Sequence, residues 1–245
     1  MRWIAVVLAA LLLCGCETTA EKSAKLEQAA KQRERASGQA GALARRGVSV
    51  TRVSGKVRVV AGGVLRSDEG VAAVVTLHNS SATTLRDVPI EITVRDARGA
   101  AIYTNNVPGL AAALASVPLV PAHATTTWID DQIQAAGIPA SVSAKVGEGT
   151  AVTGAIPRLT IQGAHLFDDP TSGQGAEGEV VNHSAVGQED LVVYAVARRR
   201  GKLVAAGRAV VPTAPGGAST RFQAYFVGNS AGTQLAVSVL PSTLG

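Results

Sequence analysis

Cysteine and aromatic residues are scarce in this chain, and both shortages limit how it can fold. Its only cysteines, Cys14 and Cys16, lie near the N-terminus, so no later residue can form a disulfide or a thiolate metal site. Aromatic residues make up 3% of the sequence, whereas hydrophobic residues make up 47%. The cores must therefore consist of Val, Leu, Ile and Ala, which is typical of β-sheet proteins with small side chains on their strands.

Charge is also sparse outside one N-terminal segment. The net charge is +5, and seven basic residues against four glutamates place +3 of it between Glu17 and Arg46. The rest of the chain is nearly neutral and has no basic region with interleaved aromatic side chains, so nucleic-acid binding is not expected. A cationic segment of this kind suits an anionic membrane surface.

The N-terminus predicts export and lipid attachment. Arg2 precedes an apolar run from Trp3 to Gly15, which is too short to cross a bilayer comfortably and is typical of a secretory signal. The stretch LLLCGC resembles the lipobox of bacterial lipoproteins. That resemblance implies a signal peptide over residues 1–15, acylation of Cys16 with diacylglyceryl and palmitate-type chains, and anchoring to a membrane. The alternative is a plain secretory signal with incidental cysteines.

Residues 16–47 are predicted to form a lipid-anchored basic helical stem. The pairs Glu21–Lys25 and Glu27–Lys31 have the i,i+4 spacing that supports a helix. Leu26 is the only large apolar side chain between residues 21 and 36, so a solvated stalk is expected rather than a coiled coil.

The remaining chain contains a degenerate repeat, which divides it into a domain at 48–147, a linker at 148–156 and a second domain at 157–245. In each copy an Asn-x-Ser turn is followed by an alternating strand, a hairpin glycine, and an aromatic residue seven positions after a proline. The matched pairs are Asn79 and Asn182, Val88 and Leu191, Gly99 and Gly201, Trp128 and Phe222.

Short alternating strands separated by Gly, Pro and Asn turns predict antiparallel β-sandwiches. The order of turn, strand, hairpin and small-residue strand resembles the immunoglobulin-like FxLYD-type domains of bacterial lipoproteins. The expected fold is therefore all-β, with two tandem antiparallel immunoglobulin-like β-sandwiches after the signal and stem. The resemblance implies adhesion, spacing or assembly and no catalysis.

A loop rich in glycine and acidic residues is the main candidate for ligand chemistry. GQGAEG, at 173–178, matches a dinucleotide fingerprint by letters, but that motif needs a strand before it and a helix after it, so a glycine-rich loop is predicted instead. Four nearby carboxylates could hold a calcium ion, although their spacing matches no known calcium loop and solvated carboxylates are the alternative. They are Asp168, Asp169, Glu177 and Glu179.

Two further patterns have simple structural explanations. Asn79 and Asn182 lie in glycosylation sequons, but Asn and Ser are also the residues that tight turns select, and the turn is the preferred interpretation. The sequence RRRGK, with Arg198, Arg199, Arg200 and Lys202, is predicted to be a solvated hairpin tip or a contact with acidic polymer or lipid headgroups.

The sequence thus predicts a non-catalytic binding or adhesion protein of the bacterial envelope or periplasm, without a cofactor. Trp128, Tyr225 and the 198–202 tip are the predicted binding surfaces, and the partner would be an envelope protein or a cell-wall polymer. The alternatives are a structural spacer or assembly subunit, and a calcium or small-ligand module. Membrane attachment would be at the outer membrane of a two-membrane cell or the outer face of the plasma membrane.

Overall fold

A computed structural model describes residues 46–170 and 173–245, of which 59% lie in β-strands and 3% in helix, and all strand pairs are antiparallel. The prediction of an all-β fold is confirmed. The signal peptide at 1–15, Cys16 and nearly all of the stem lie outside the described residues. Among the residues described, no helix is long and apolar enough to cross a membrane.

The first half of the described chain forms two antiparallel sheets. One has the order β1–β2–β6; in the other, β3 pairs with β4, β5, β7 and β8, while a short helix, α1, precedes β5. The bounds are β1 Val57–Ser67, β2 Gly70–Asn79, β3 Leu85–Arg95, β4 Ala101–Thr104, α1 Ala112–Ala115, β5 Ser116–Val120, β6 Thr125–Asp130, β7 Ser141–Val146 and β8 Thr150–Ala151.

The second half also forms two antiparallel sheets, and its described elements are seven strands. Its sheets have the orders β13–β10–β9 and β14–β12–β11–β15. The bounds are β9 Leu159–Asp169, β10 Gly173–Asn182, β11 Gln188–Arg199, β12 Lys202–Ala214, β13 Ser219–Tyr225, β14 Val227–Gly228 and β15 Gln234–Val239.

Asn105 explains one difference between the halves. The segment after β4 leaves the sheet, and the buried Asn105 side chain takes the place of a neighbouring strand. Its Oδ1 accepts from the Ile92 amide at 2.8 Å, and its Nδ2 donates to the carbonyls of Ile90 at 2.9 Å and Leu114 at 2.8 Å. The backbone of β3 is therefore satisfied where no strand covers it.

Strand β11 joins the two halves because both of its faces are buried. The odd-numbered side chains from Leu191 to Ala197 pack in the second-half core, whereas Val192, Tyr194 and Val196 belong to the first-half core. A sheet that is covered on both faces requires apolar residues at every position, and the run from 191 to 197 has them. The two halves consequently form one packed body.

The predicted linker, residues 148–156, is held at two points. Thr150 and Ala151 pair with Arg86 and Leu85 of β3, and the Gly245 amide donates to the Ala155 carbonyl at 3.3 Å. The segment is therefore bound to the first half near its start and to the C-terminus near its end.

The two Asn turns have the same hydrogen bonds. Asn79 Oδ1 accepts from the Ser81 amide at 3.0 Å and from its hydroxyl at 2.8 Å, and Asn182 makes the same contacts with Ser184 at 3.1 and 2.7 Å. Each Asn amide also donates to two carbonyls, those of Thr83 and Val120 in the first half and of Val186 and Ala214 in the second. Both side chains are buried, so the turn interpretation is confirmed.

Candidate functional site

The outward side of the β9–β10–β13 sheet carries a group of polar side chains, which we call the polar face. Two cross-strand rows form it: one has Glu177 between its partners on β9 and β13, and the other has Glu179 in the same position. The opposite side of the sheet packs in the second-half core. The polar face consists of Gln162, His165, Glu177, Glu179, Arg221 and Gln223.

A β-bulge determines which side chains of β9 belong to this face. Residues Gly163 and Ala164 lie opposite the single residue Gly178, and Gly163 has a positive φ of 60°. In a regular strand Gln162 and His165, three positions apart, would point to opposite sides of the sheet, since side chains alternate along a strand. The bulge brings both onto the outward side.

A chain of polar contacts runs across the polar face. The Tyr225 hydroxyl donates to Gln223 Oε1 at 3.0 Å, and Gln223 Nε2 donates to Glu177 Oε2 at 3.4 Å. Glu177 Oε1 lies 3.0 Å from His165 Nε2, while His165 Nδ1 lies 2.9 Å from the Gly163 carbonyl oxygen. Both ring nitrogens face acceptors, so this geometry favours the imidazolium form. The Gly163 carbonyl, and then Glu177, accordingly raise the pKa of His165.

An aromatic pair closes one end of the polar face. The rings of Phe167 and Tyr225 are in edge-to-face contact, with centroids 5.6 Å apart, and both residues pair with Gly175. A Cβ at Gly175 would lie 2.5 Å from the Phe167 ring and 2.3 Å from the Ala224 carbonyl oxygen. Glycine is therefore required, because the aromatic ring occupies the space of its missing side chain.

The polar face borders a half-open cleft of about 710 Å³. Arg221 Nε lies 3.7 Å from Glu179 Oε1 across it, so each glutamate of the face has a basic neighbour. The lining thus offers carboxylate and amide oxygens as acceptors and guanidinium, imidazole and amide groups as donors, within two adjacent rows. Such an arrangement can hold a polar ligand without a metal or a covalent bond.

A buried ion pair crosses the junction between the halves. Arg208 Nε donates to Asp131 Oδ1 at 2.7 Å, and the Arg208 amide donates to Asp131 Oδ2 at 2.9 Å. The Arg208 side chain is 4% exposed. This charge-assisted contact supports the apolar packing between β11 and the first half.

Three more polar side chains lie near that ion pair. The Tyr103 hydroxyl donates to Asp130 Oδ2 at 2.9 Å, and burial raises the pKa of both groups. Burial also raises the pKa of Tyr194. Within the described part of the chain, the Tyr194 hydroxyl and Arg208 Nη1 are buried without a hydrogen-bond partner. A small cleft of about 260 Å³, lined in part by Asp131 and Arg208, lies at the same junction.

The prediction that Trp128 is a binding surface is wrong. Trp128 is fully buried in the first-half core, where its Nε1 donates to the Ala113 carbonyl at 2.8 Å. Because aromatic residues are so few, the largest one fills a core rather than a surface. Tyr225, in contrast, is 46% exposed at the edge of the polar face, and its role in binding stays a prediction.

The basic residues at 198–202 form the tip of the β11–β12 hairpin. Arg199 pairs with Lys202, and the two residues between them have positive φ, as in a tight type I′ turn. Arg198 Nη1 donates to the Gly201 carbonyl at 3.4 Å, and Arg199 donates to the carbonyl of Ala231. Arg200 and Lys202 remain exposed. Residues 198–202 therefore form a hairpin tip, as predicted. Contact of this tip with a partner stays a prediction.

The four acidic candidates are spread over the sheet rather than gathered. Asp168 accepts from Gln174 Nε2 at 3.0 Å and Asp169 pairs with Gly173, whereas Glu177 and Glu179 belong to the polar face. No group of three or more potential metal ligands occurs among the residues described. The predicted glycine-rich loop is also corrected, since 173–178 is the first part of strand β10.

Sequence reasoning did not find the polar face or the Asp131–Arg208 contact. Both depend on cross-strand register or on packing between distant segments, which no local motif signals.

No protein-family model matches the chain, and no curated protein matches it. The structure itself is therefore the main guide to function.

Proposed function

We propose that this is a lipid-anchored protein of the bacterial envelope that binds another envelope component non-covalently through the polar face. The observation that carries the proposal is the cleft of about 710 Å³ on an exposed sheet face, lined by paired acidic, basic and amide side chains. The anchor would be the acylated Cys16, followed by the basic stem at 16–47. The protein is proposed to act without catalysis or a cofactor.

We also propose that each half is an immunoglobulin-like sandwich. Support comes from the matched Asn turns and from a matched pair of residues with positive φ, Asp87 at 51° and Asp190 at 47°. In each half this residue lies near the start of the strand that follows the Asn turn. Duplicated side-chain contacts and duplicated backbone irregularities are expected of two copies of one domain.

Photo-crosslinking in intact cells tests the binding function. A photoreactive residue placed at Gln223 should yield a high-mass product, whereas the same residue at Arg58, an exposed position on β1, should not. The lipid anchor is tested separately by the intact mass of membrane-extracted protein and its Cys16→Ser variant. Equal crosslinking at both positions, or none at Gln223, would count against the polar face as the binding surface.

A structural spacer is the second candidate, and the continuous core favours it. Since side chains of β11 complete the first-half core, the two halves would keep a fixed orientation above the membrane. In that case shortening the stem should abolish function while substitutions on the polar face leave it unchanged. Deleting the first half is not a suitable test, because it would expose Val192, Tyr194 and Val196 of β11.

A further inference from the structure

We infer that the ligand of the polar face is the glycan of the cell wall, recognised through its hydroxyl groups; this inference rests on the proposed function. The argument depends on the charge balance of the polar face, on the order of its donors and acceptors, and on the exposed ring of Tyr225.

The charges of the polar face are balanced. Glu177 lies 3.0 Å from the His165 ring and Glu179 lies 3.7 Å from Arg221. Two carboxylates thus face one imidazolium and one guanidinium, so the formal charges sum to zero when His165 is protonated. A strongly charged ligand, such as a polyphosphate or a cationic peptide, would find a neutralising group beside every group that attracts it.

Donors and acceptors alternate over short distances on this face. In the Glu177 row, a carboxylate lies between an imidazole and a primary amide; in the Glu179 row, it lies between an amide and a guanidinium. A hydroxyl group can donate one hydrogen bond and accept two, so it can satisfy either type of neighbour. Outward residues on one strand are about 7 Å apart, which allows a ligand with several hydroxyl groups to contact both rows at once.

Tyr225 gives the site its apolar part. Its side chain is 46% exposed, and edge-to-face contact with Phe167 and a hydrogen bond to Gln223 fix its ring. A fixed aromatic ring beside a polar row can cover the C–H face of a sugar while the row binds its hydroxyl groups. Tyr225 adjoins the half-open cleft through its contact with Gln223, so a glycan segment lying across the sheet would reach both the ring and the polar rows.

Co-sedimentation with purified peptidoglycan tests the inference. The detergent-extracted full chain is mixed with intact sacculi, alone or with an excess of one soluble competitor, either the glycan strands or the stem peptides that an amidase releases from sacculi. We expect the chain to sediment with the sacculi, and we expect the glycan strands to compete while the stem peptides do not. Arg221→Ala and Gln223→Ala should each weaken binding about tenfold, the effect of losing one hydrogen bond, whereas Arg58→Ala should bind like the parent. Thermal unfolding of each variant shows that it is folded.

The outcomes separate this inference from the proposed function. Competition by the stem peptides but not by the glycan strands, or no binding to sacculi at all, would overturn the glycan assignment. If Gln223 then still crosslinks to an envelope protein in cells, the binding function stands with a protein as the partner. If binding persists but the Arg221 and Gln223 variants match Arg58→Ala, the glycan site lies elsewhere and the inference fails.

Discussion

Arg208 contacts Asp131 twice, through its side chain at 2.7 Å and through its backbone amide at 2.9 Å. The two residues lie in different halves of the chain: Asp131 directly follows β6, and Arg208 lies within β12, which contacts β6. The same buried region contains Tyr194, whose ring belongs to the first-half core although its strand belongs to the second half. A polar contact and an apolar contact therefore connect the halves at one place.

Removing one partner of this ion pair should be costly. We expect Arg208→Met to lower the free energy of unfolding by about 3–5 kcal/mol, because it leaves the largely buried Asp131 carboxylate without its partner. The double variant with Asp131→Leu should lose less than the sum of the two single variants, since no charge remains. Urea denaturation followed by Trp128 fluorescence measures both. Strict additivity would contradict a direct interaction.

The two Asn turns should be equally important. Asn79→Ala and Asn182→Ala each leave two carbonyls without a side-chain partner, and each should cost about 1–3 kcal/mol in urea denaturation. Asn106→Ala, at an exposed position, is the control and should have little effect. A large loss at only one of the two turns would show that the copies are not energetically equivalent.

Asp130 should make stability depend on pH. Burial raises its pKa above the ordinary value of 3.8, so its stabilising contribution is present below that value and is lost as pH rises through the folded-state pKa. Asp130→Asn removes this titration. The stability of the variant relative to the parent should therefore increase as pH rises from about 4 through the folded-state pKa of Asp130. Urea denaturation over a pH series measures the difference, and a flat or falling difference would refute the assignment.

His165 should titrate above its ordinary pKa of 6.5, since both ring nitrogens face acceptor oxygens. A raised pKa means that its stabilising contribution is complete below about pH 6.5 and is lost as pH rises through the folded-state pKa. Proton NMR of the imidazole should show this shift, and Glu177→Gln should reduce it. Glu189→Gln, at an exposed site on β11, serves as the control and should leave the titration unchanged.

Gly175 should not tolerate a side chain. Gly175→Ala places a methyl group against the Phe167 ring and the Ala224 carbonyl, and we expect a loss of about 1–3 kcal/mol from this overpacking. Gly187→Ala is a suitable control, because a Cβ there meets nothing within 4 Å. Thermal unfolding compares the two. Similar melting temperatures would mean that β10 moves to accommodate the methyl group at little cost.

Local sequence patterns indicated more about turns and strands than about sites. The Asn turns were predictable because their hydrogen bonds join residues only a few positions apart. The alternation of Val88, Ile90, Ile92 and Val94 indicated one buried face, and all four are fully buried. The segment at 173–178 was mistaken for a loop because glycine usually signals one, whereas here the ring of Phe167 occupies the space beside Gly175.

The run LVVYAVA at 191–197 contained a signal that could have revealed the junction. Apolar residues at every position indicate a strand buried on both faces, and this strand is the one shared by both cores. The segments that cover the first-half side of this strand could not be predicted, because they lie far away in the sequence. Asp131, for example, contacts Arg208, which is 77 residues later.

The all-β class, the repeated turns and the absence of thiols beyond Cys16 follow from the sequence alone, because each depends on residue type or on neighbours close in the chain. The burial of Trp128, the core shared by the halves and the convergence of six polar side chains on one sheet face become visible only in the folded chain. Those features depend on strand register and on packing between remote segments, which side-chain spacing along the chain does not specify.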